Sequence, residues 1–220
     1  MKKVMTTLLA GLILGMAPAA YAAPVKVTGD ATLKYERDTA AGEPDQSGMI
    51  YSLKLMGEAD LGSGWSLYAR VGTQGLSHPG LGDFNTDFYG EDEESMAALD
   101  QFGLIFQDKA LTYKLGRQDV TVGTAALLYC RDDAKIGQKA FVDGLSVTGT
   151  VGRTEVSAVL AREDNPVGQA ENKLYAVRAG FNPEENINWG LTLGHYSSDD
   201  SSNHWAVDGT YKFAKHSVTG

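Results

Sequence analysis

The ionisable side chains that could do chemistry in this chain are scattered, but several share one setting. Lys34 lies between Leu33 and Tyr35, Lys54 between Leu53 and Leu55, Arg70 between Ala69 and Val71, Lys114 between Tyr113 and Leu115, and Arg178 between Val177 and Ala179. In an extended strand successive side chains take opposite faces, so a cation flanked by apolar residues points away from them. Such a set lines a polar surface. Acid–base catalysis asks for something else, groups within hydrogen-bond reach of one another. His195 with Asp199 and Asp200 is the grouping that comes nearest to that. Asp87, Glu91, Asp92, Glu93 and Glu94 crowd one polar stretch. Calcium needs several convergent oxygens, and these acids follow no calcium-loop spacing, so they read as a solvated loop. Cys130 is the only cysteine, which excludes an intramolecular disulfide; it reads as a small loop residue. No serine elbow, zinc motif or P-loop is present, and no cofactor is implied. A net charge of −9 argues against nucleic acid as a partner.

The elements that carry these residues alternate with period two. In Val25–Arg37, Val25, Val27, Ala31, Leu33 and Tyr35 take one face, and Lys26, Thr28, Asp30, Thr32, Lys34 and Glu36 the other. That run is long enough to cross a membrane at a tilt. Ten such segments can be read between Val25 and Phe213: 25–37, 49–60, 65–74, 101–107, 111–115, 141–149, 151–162, 173–181, 187–193 and 204–213. The alternation is weakest in the sixth and seventh. Links after odd-numbered segments are loops of varied length, and links after even-numbered ones are tight turns. Long loops on one side and short turns on the other are what an up-and-down β-barrel of an outer membrane shows. No segment sustains helical spacing, and 26 glycines interrupt any attempt.

Residues 1–22 read as a secretory leader: Lys2 and Lys3, an apolar run from Leu8 to Met16, then the small-x-small site Ala20-Tyr21-Ala22. The barrel domain then covers 23–220. An exported chain without apolar helices can still span a membrane as a closed barrel, where every backbone polar group finds a partner. His216–Gly220 reads as the start of a further strand, so the expectation is an incomplete barrel, a fragment of a larger one.

Two short motifs add a resemblance. Leu111-Thr-Tyr-Lys-Leu-Gly-Arg-Gln118 resembles the strand end of Gram-negative porins, where a Gly-Arg-Gln tripeptide precedes the loop that folds into the pore. Phe141-Val-Asp-Gly-Leu145 is similar to the element that follows that loop. The resemblance spans roughly Ala23 to Phe213. It implies an antiparallel transmembrane barrel of about sixteen strands when complete, a homotrimer, and passive diffusion of small hydrophilic solutes or ions. Outer-membrane lipid and lipopolysaccharide would be its surroundings. It also makes Gln118–Lys139 the third external loop, the one that bends inward to narrow the channel. On that footing the loop offers Asp119, Arg131, Asp132, Asp133 and Lys135. These would face Lys34, Lys54, Arg70, Lys114 and Arg178 across a constriction, where opposed charges set up a transverse field. Arg117 departs from this pattern. It shares parity with Leu111, Tyr113 and Leu115, which aims it at lipid; either it lies above the apolar band or a bulge at Gly116 turns it inward, and the bulge is the expectation. Other readings compete: a ten-stranded surface hydrolase built on His195, a structural or adhesive barrel with a plugged lumen, and a soluble periplasmic β-sandwich, which would extract without detergent.

Overall fold

The computed structural model describes residues 24–39, 42, 45–77, 95–123, 128–131, 136–137, 140–163, 172–184 and 186–220. The leader, the acids from Asp87 to Glu94, and the loop residues Asp132, Asp133 and Lys135 lie outside these described residues. The strands are β1 Val25–Asp38, β2 Gln46–Gly62, β3 Trp65–Leu76, β4 Ser95–Asp108, β5 Leu111–Gln118, β6 Val120–Val122, β7 Tyr129–Arg131, β8 Val142–Val151, β9 Thr154–Glu163, β10 Lys173–Glu184, β11 Ile187–Ser197, β12 Ser201–Phe213 and β13 His216–Thr219.

Among the described residues, eleven strands form one open sheet in the order β1-β2-β3-β4-β5-β8-β9-β10-β11-β12-β13. Every neighbouring pair is antiparallel. The fold is therefore an up-and-down meander, an arc of β-barrel wall with β1 and β13 at its edges. The ten sequence segments correspond to the first ten strands of this order. His216–Thr219 adds the eleventh by pairing with Thr210–Phe213. Strands such as β2, at 17 residues, far exceed the five or six usual in soluble sheets.

The two faces differ as the alternation requires. Leu33, Leu115, Leu160, Val177, Leu193, Trp205 and Val207 stay exposed, Leu33 at 69% and Trp205 at 74%. They share one face, called outer here. Its turn side carries an aromatic band: Trp65 packs on Phe106 at 4.7 Å, Phe106 on Tyr113 at 5.9 Å, and Phe181 on Trp189 at 5.8 Å between ring centroids. Amphipathic rings of this kind belong at a membrane–water boundary. The opposite, inner face holds Arg70, Gln74, Asp100, Gln101, Gln118, Arg178, Thr192 and Asp208, all buried.

The third loop contains a strand pair that the sequence reading leaves as irregular chain. β6 and β7 form a two-stranded hairpin with Val120 opposite Arg131 and Val122 opposite Tyr129. Val120 and Val122 pack on Val142, Val159, Ala161 and Leu174 of the inner face. The loop thus lies inside the arc. It also accounts for part of the weak alternation of β8 and β9: the inward Val142, Val159 and Ala161 meet an apolar hairpin rather than water.

Candidate functional site

The candidate site is the inner face together with the loop that covers part of it. Its charges are arranged as pairs. Arg70 Nε and Nη2 donate to the two Asp100 oxygens at 2.8 and 2.9 Å, and both side chains are almost wholly buried. Asp100 faces inward because of a bulge: Arg70 pairs with Gln101 and Val71 with Leu99, leaving Asp100 as the extra residue. Two consecutive polar residues, Asp100 and Gln101, then share one face. The Arg70 guanidinium also lies 4.6 Å over the Phe141 ring, and the Gly137 N–H donates to Asp100 at 3.1 Å. The returning leg of the loop is therefore seated on this pair.

A second buried pair sits on the far part of the arc. Arg178 of β10 donates through Nη2 to Asp208 Oδ1 of β12 at 2.8 Å and through Nη1 to Oδ2. The intervening β11 contributes Thr192, which accepts from Nη1 at 3.1 Å. β11 also contributes Gly190, where a Cβ would come 2.4 Å from the guanidinium. Glycine is needed there so that the arginine can lie flat across the strand. Arg178 and Asp208 line a polar recess of about 400 Å³ with Glu155, Asn182, Asn188 and Lys212.

The other inward cations are paired nearer to water. Lys54 reaches Asp30 at 3.2 Å, Lys34 reaches Glu36 at 2.7 Å, and Lys114 reaches Asp119 at 2.8 Å. Lys114 Nζ also stands 4.8 Å over the Tyr68 ring. The expected ladder of wall cations facing loop acids is thus modified among the described residues. Wall cations are matched mostly by wall acids. Two loop charges reach the wall, of opposite sign: Asp119 accepts from Lys114, and Arg131 donates to Glu163 at 2.9 Å.

Glu163, at the loop-side end of β9, is the anchor of the hairpin. Its Oε1 accepts from Tyr129 at 2.7 Å and from Arg131; its Oε2 accepts from Asn172 at 2.7 Å and Tyr196 at 2.8 Å. Burial, followed by the hydrogen bond to Glu163, pushes the Tyr129 phenol well above its ordinary range, so it remains a donor at any physiological pH. Four donors on one buried carboxylate form a satisfied network, which is rigid; a partly satisfied one would be costly.

Arg117 requires a correction. β5 stays in unbroken register with β4 and β8 through Gly116, so the expected bulge is absent. Gly116 keeps the strand straight at φ +134°, where a Cβ would meet the Phe102 carbonyl at 2.2 Å. Arg117 therefore remains on the outer face, opposite Phe102 and Asp143. It donates to both Asp143 oxygens, at 2.9 and 2.8 Å, and lies 5.7 Å over the Phe102 ring. A paired charge at the end of a strand needs no bulge.

His195 also lies on the outer face, opposite Tyr175 and bonded through Nδ1 to Asn203 at 2.8 Å. The Cys130 thiol is exposed beside Thr121 on the side of the hairpin away from the wall. Among the described residues no group of His, Cys, Asp and Glu is placed to hold a metal ion. Asp100, Glu163, Asp208, Tyr196 and Gly190 were not singled out from the sequence. Only Asp100 left a local trace there, in the polar pair that breaks the alternation between Leu99 and Phe102.

Long antiparallel strands, an apolar outer face and a third loop folded inward define a porin-like fold. Solved structures similar to this chain include a triple mutant of the Rhodopseudomonas blastica porin, with 12% identity over 89% of this chain and 82% of that one at a TM-score of 0.37. Another is OmpF of Salmonella typhi, with 12% identity over 86% of this chain and 74% of that one, also at 0.37. No family model and no curated protein matches the chain.

Proposed function

We propose that this chain forms channel wall in the outer membrane of a Gram-negative bacterium, and that small hydrophilic solutes or ions cross by passive diffusion along its inner face. The observation that carries this is the division of the sheet. Exposed Leu, Val and Trp side chains occupy one face, and arginines, carboxylates and amides the other. A wall between lipid and water stabilises both at once, since acyl chains accept the apolar side chains, water solvates the polar ones, and the ladders between strands satisfy the backbone groups.

The filter on this reading is a wall of ion pairs with an anchored loop, not a ladder of unmatched cations. Lys34, Lys54, Arg70, Lys114 and Arg178 act as dipoles with their carboxylate partners. The loop sets the width, and Asp119, Arg131, Asp132, Asp133 and Lys135 contribute its charge. A solute that hydrogen-bonds to such dipoles exchanges part of its hydration shell for them as it passes. The cleaved leader supplies export, lipid and lipopolysaccharide form the surroundings, and the resemblance adds a homotrimer. No catalytic role is assigned. The test is conductance of the full-length gene product in planar bilayers. Discrete steps with weak ion preference are expected, because paired charges leave little net field. Absence of steps at any voltage contradicts the channel, and strong anion or cation selectivity contradicts the paired wall.

A further inference from the structure

The polar recess beside Arg178 and Asp208 carries opposite charges at its two ends. Glu155 of β9 and Lys212 of β12 both line it and both are exposed. Among the described residues neither belongs to an ion pair. The wall cations described above are matched by carboxylates, so this turn-side end of the inner face departs from the rule. Cross-strand register fixes the spacing. Glu155 lies opposite Gly180, Gly180 opposite Gly190, and Gly190 opposite Asp208. Three strand spacings, about 14 Å, therefore separate Glu155 from β12. Lys212 stands a further stretch of about 13 Å along β12 toward the turn. The facing glycines of β10 and β11 carry no side chain into the space between, which gives the recess its depth.

Amides and hydroxyls run between the charged ends. Asn188 donates through Nδ2 to Asn182 Oδ1, and Asn182 donates through Nδ2 to Glu155 Oε1 at 3.3 Å. This chain leaves Glu155 Oε2, Asn188 Oδ1 and one N–H of each amide uncommitted among the described residues. The Thr210 and Thr219 hydroxyls share a single hydrogen bond at 3.0 Å and keep further capacity. A carboxylate at one end, an ammonium at the other and amides between them complement a molecule with the opposite order: ammonium, peptide group, carboxylate. The α-carbons of Glu155 and Lys212 lie about 20 Å apart along the sheet. Their side chains, with one hydrogen bond each, take up most of that distance and leave a length of about one to three extended residues. A neutral sugar would meet the amides and leave both charges to water, and a simple ion would use one end alone.

We infer that this recess is a resting site for a small zwitterion, a free amino acid or short peptide, on its way along the channel. The ammonium of the solute donates to Glu155, its carboxylate accepts from Lys212, and Asn182 and Asn188 bracket its peptide group. Charge-assisted hydrogen bonds at both ends fix its orientation. Exposed charges hold a ligand weakly. Weak holding suits passage, which needs a site favourable enough to enter and loose enough to leave. The inference rests on the proposed channel and names a solute class for it.

The test is block of single-channel current by dialanine in planar bilayers holding the full-length gene product. The wild type is expected to show brief interruptions whose frequency rises with dialanine concentration. N-acetyl-dialanine amide, of similar size with neither charge, and maltose are expected to cause none. E155Q and K212Q are each expected to weaken the block about fivefold. The exchanged pair E155K/K212E is expected to restore it, since the solute can then bind the other way round. E58Q, on β2, is expected to leave it unchanged, as is E185Q, which alters a neighbouring acid outside the described residues. Equal block by maltose or the capped peptide, unaltered block in both single variants, or an equal loss in E58Q or E185Q overturns the inference. Conductance steps without any block overturn it while leaving the channel standing; absence of steps removes the channel and this site together.

Discussion

Arg178 and Asp208 meet across a third strand because Gly190 leaves their path open. The pair is buried, so its worth depends on both members being present. A lone buried charge loses its partner and still bears its desolvation cost, typically about 3–5 kcal/mol, whereas exchanging both for apolar residues is often near neutral. R178M and D208L are therefore each expected to destabilise the folded protein strongly. The double variant should lose much less than the sum, in unfolding titrations run as a double-mutant cycle. Additive losses would show that the two side chains do not act as a pair. Arg117 with Asp143 follows the same logic on the other face. There the alternation alone placed the arginine correctly. The bulge was expected in preference to an outward place above the apolar band, and the matching carboxylate lay 26 residues away, invisible to local pattern.

At the scale of elements, the inward loop sets what passes on the proposed reading, and the polar contacts of its hairpin converge on one residue, Glu163. E163Q keeps the shape of the side chain and removes the charge that organises four donors; hydrogen bonds to charged groups are worth about 1.5–3 kcal/mol each. E163Q is expected to raise open-channel noise and to speed proteolytic nicking between Gln118 and Lys139, with the strands intact by circular dichroism. Unchanged noise and nicking would mean the hairpin is anchored chiefly by Val120 and Val122. Cys130 offers a second probe, since its thiol faces away from the wall. A bulky cationic methanethiosulfonate reagent is expected to lower conductance by a step in the wild type and to do nothing to C130S. A labelled channel of unaltered conductance would place the hairpin outside the solute path. Neither strand of this hairpin was legible beforehand, because three residues carry too little periodicity to separate a strand from a loop. Glu163 was equally hidden: its partners Tyr129, Arg131 and Tyr196 are 32 to 34 residues distant.

At the scale of the whole molecule, legibility tracks solvent. β1, β3 and β12 could be read directly, because apolar residues dominate one face of each and polar residues the other. β8 and β9 blurred where the hairpin replaces water with Val120 and Val122. The order of the meander also followed from the alternation of long and short links. What could not be read was most of the pairing of charges on the inner face, since every pair but Lys34–Glu36 joins two strands or a strand and the loop. The central claim is that one face of this sheet meets lipid and the other water. It is tested most directly by spin labels placed singly from Trp205 to Tyr211 along β12, in the protein reconstituted into vesicles, with accessibility to oxygen and to a polar nickel chelate measured at each position. Labels at 205, 207, 209 and 211 should favour oxygen, and labels at 206, 208 and 210 the chelate. The reverse phase, or no alternation at all, would contradict the account.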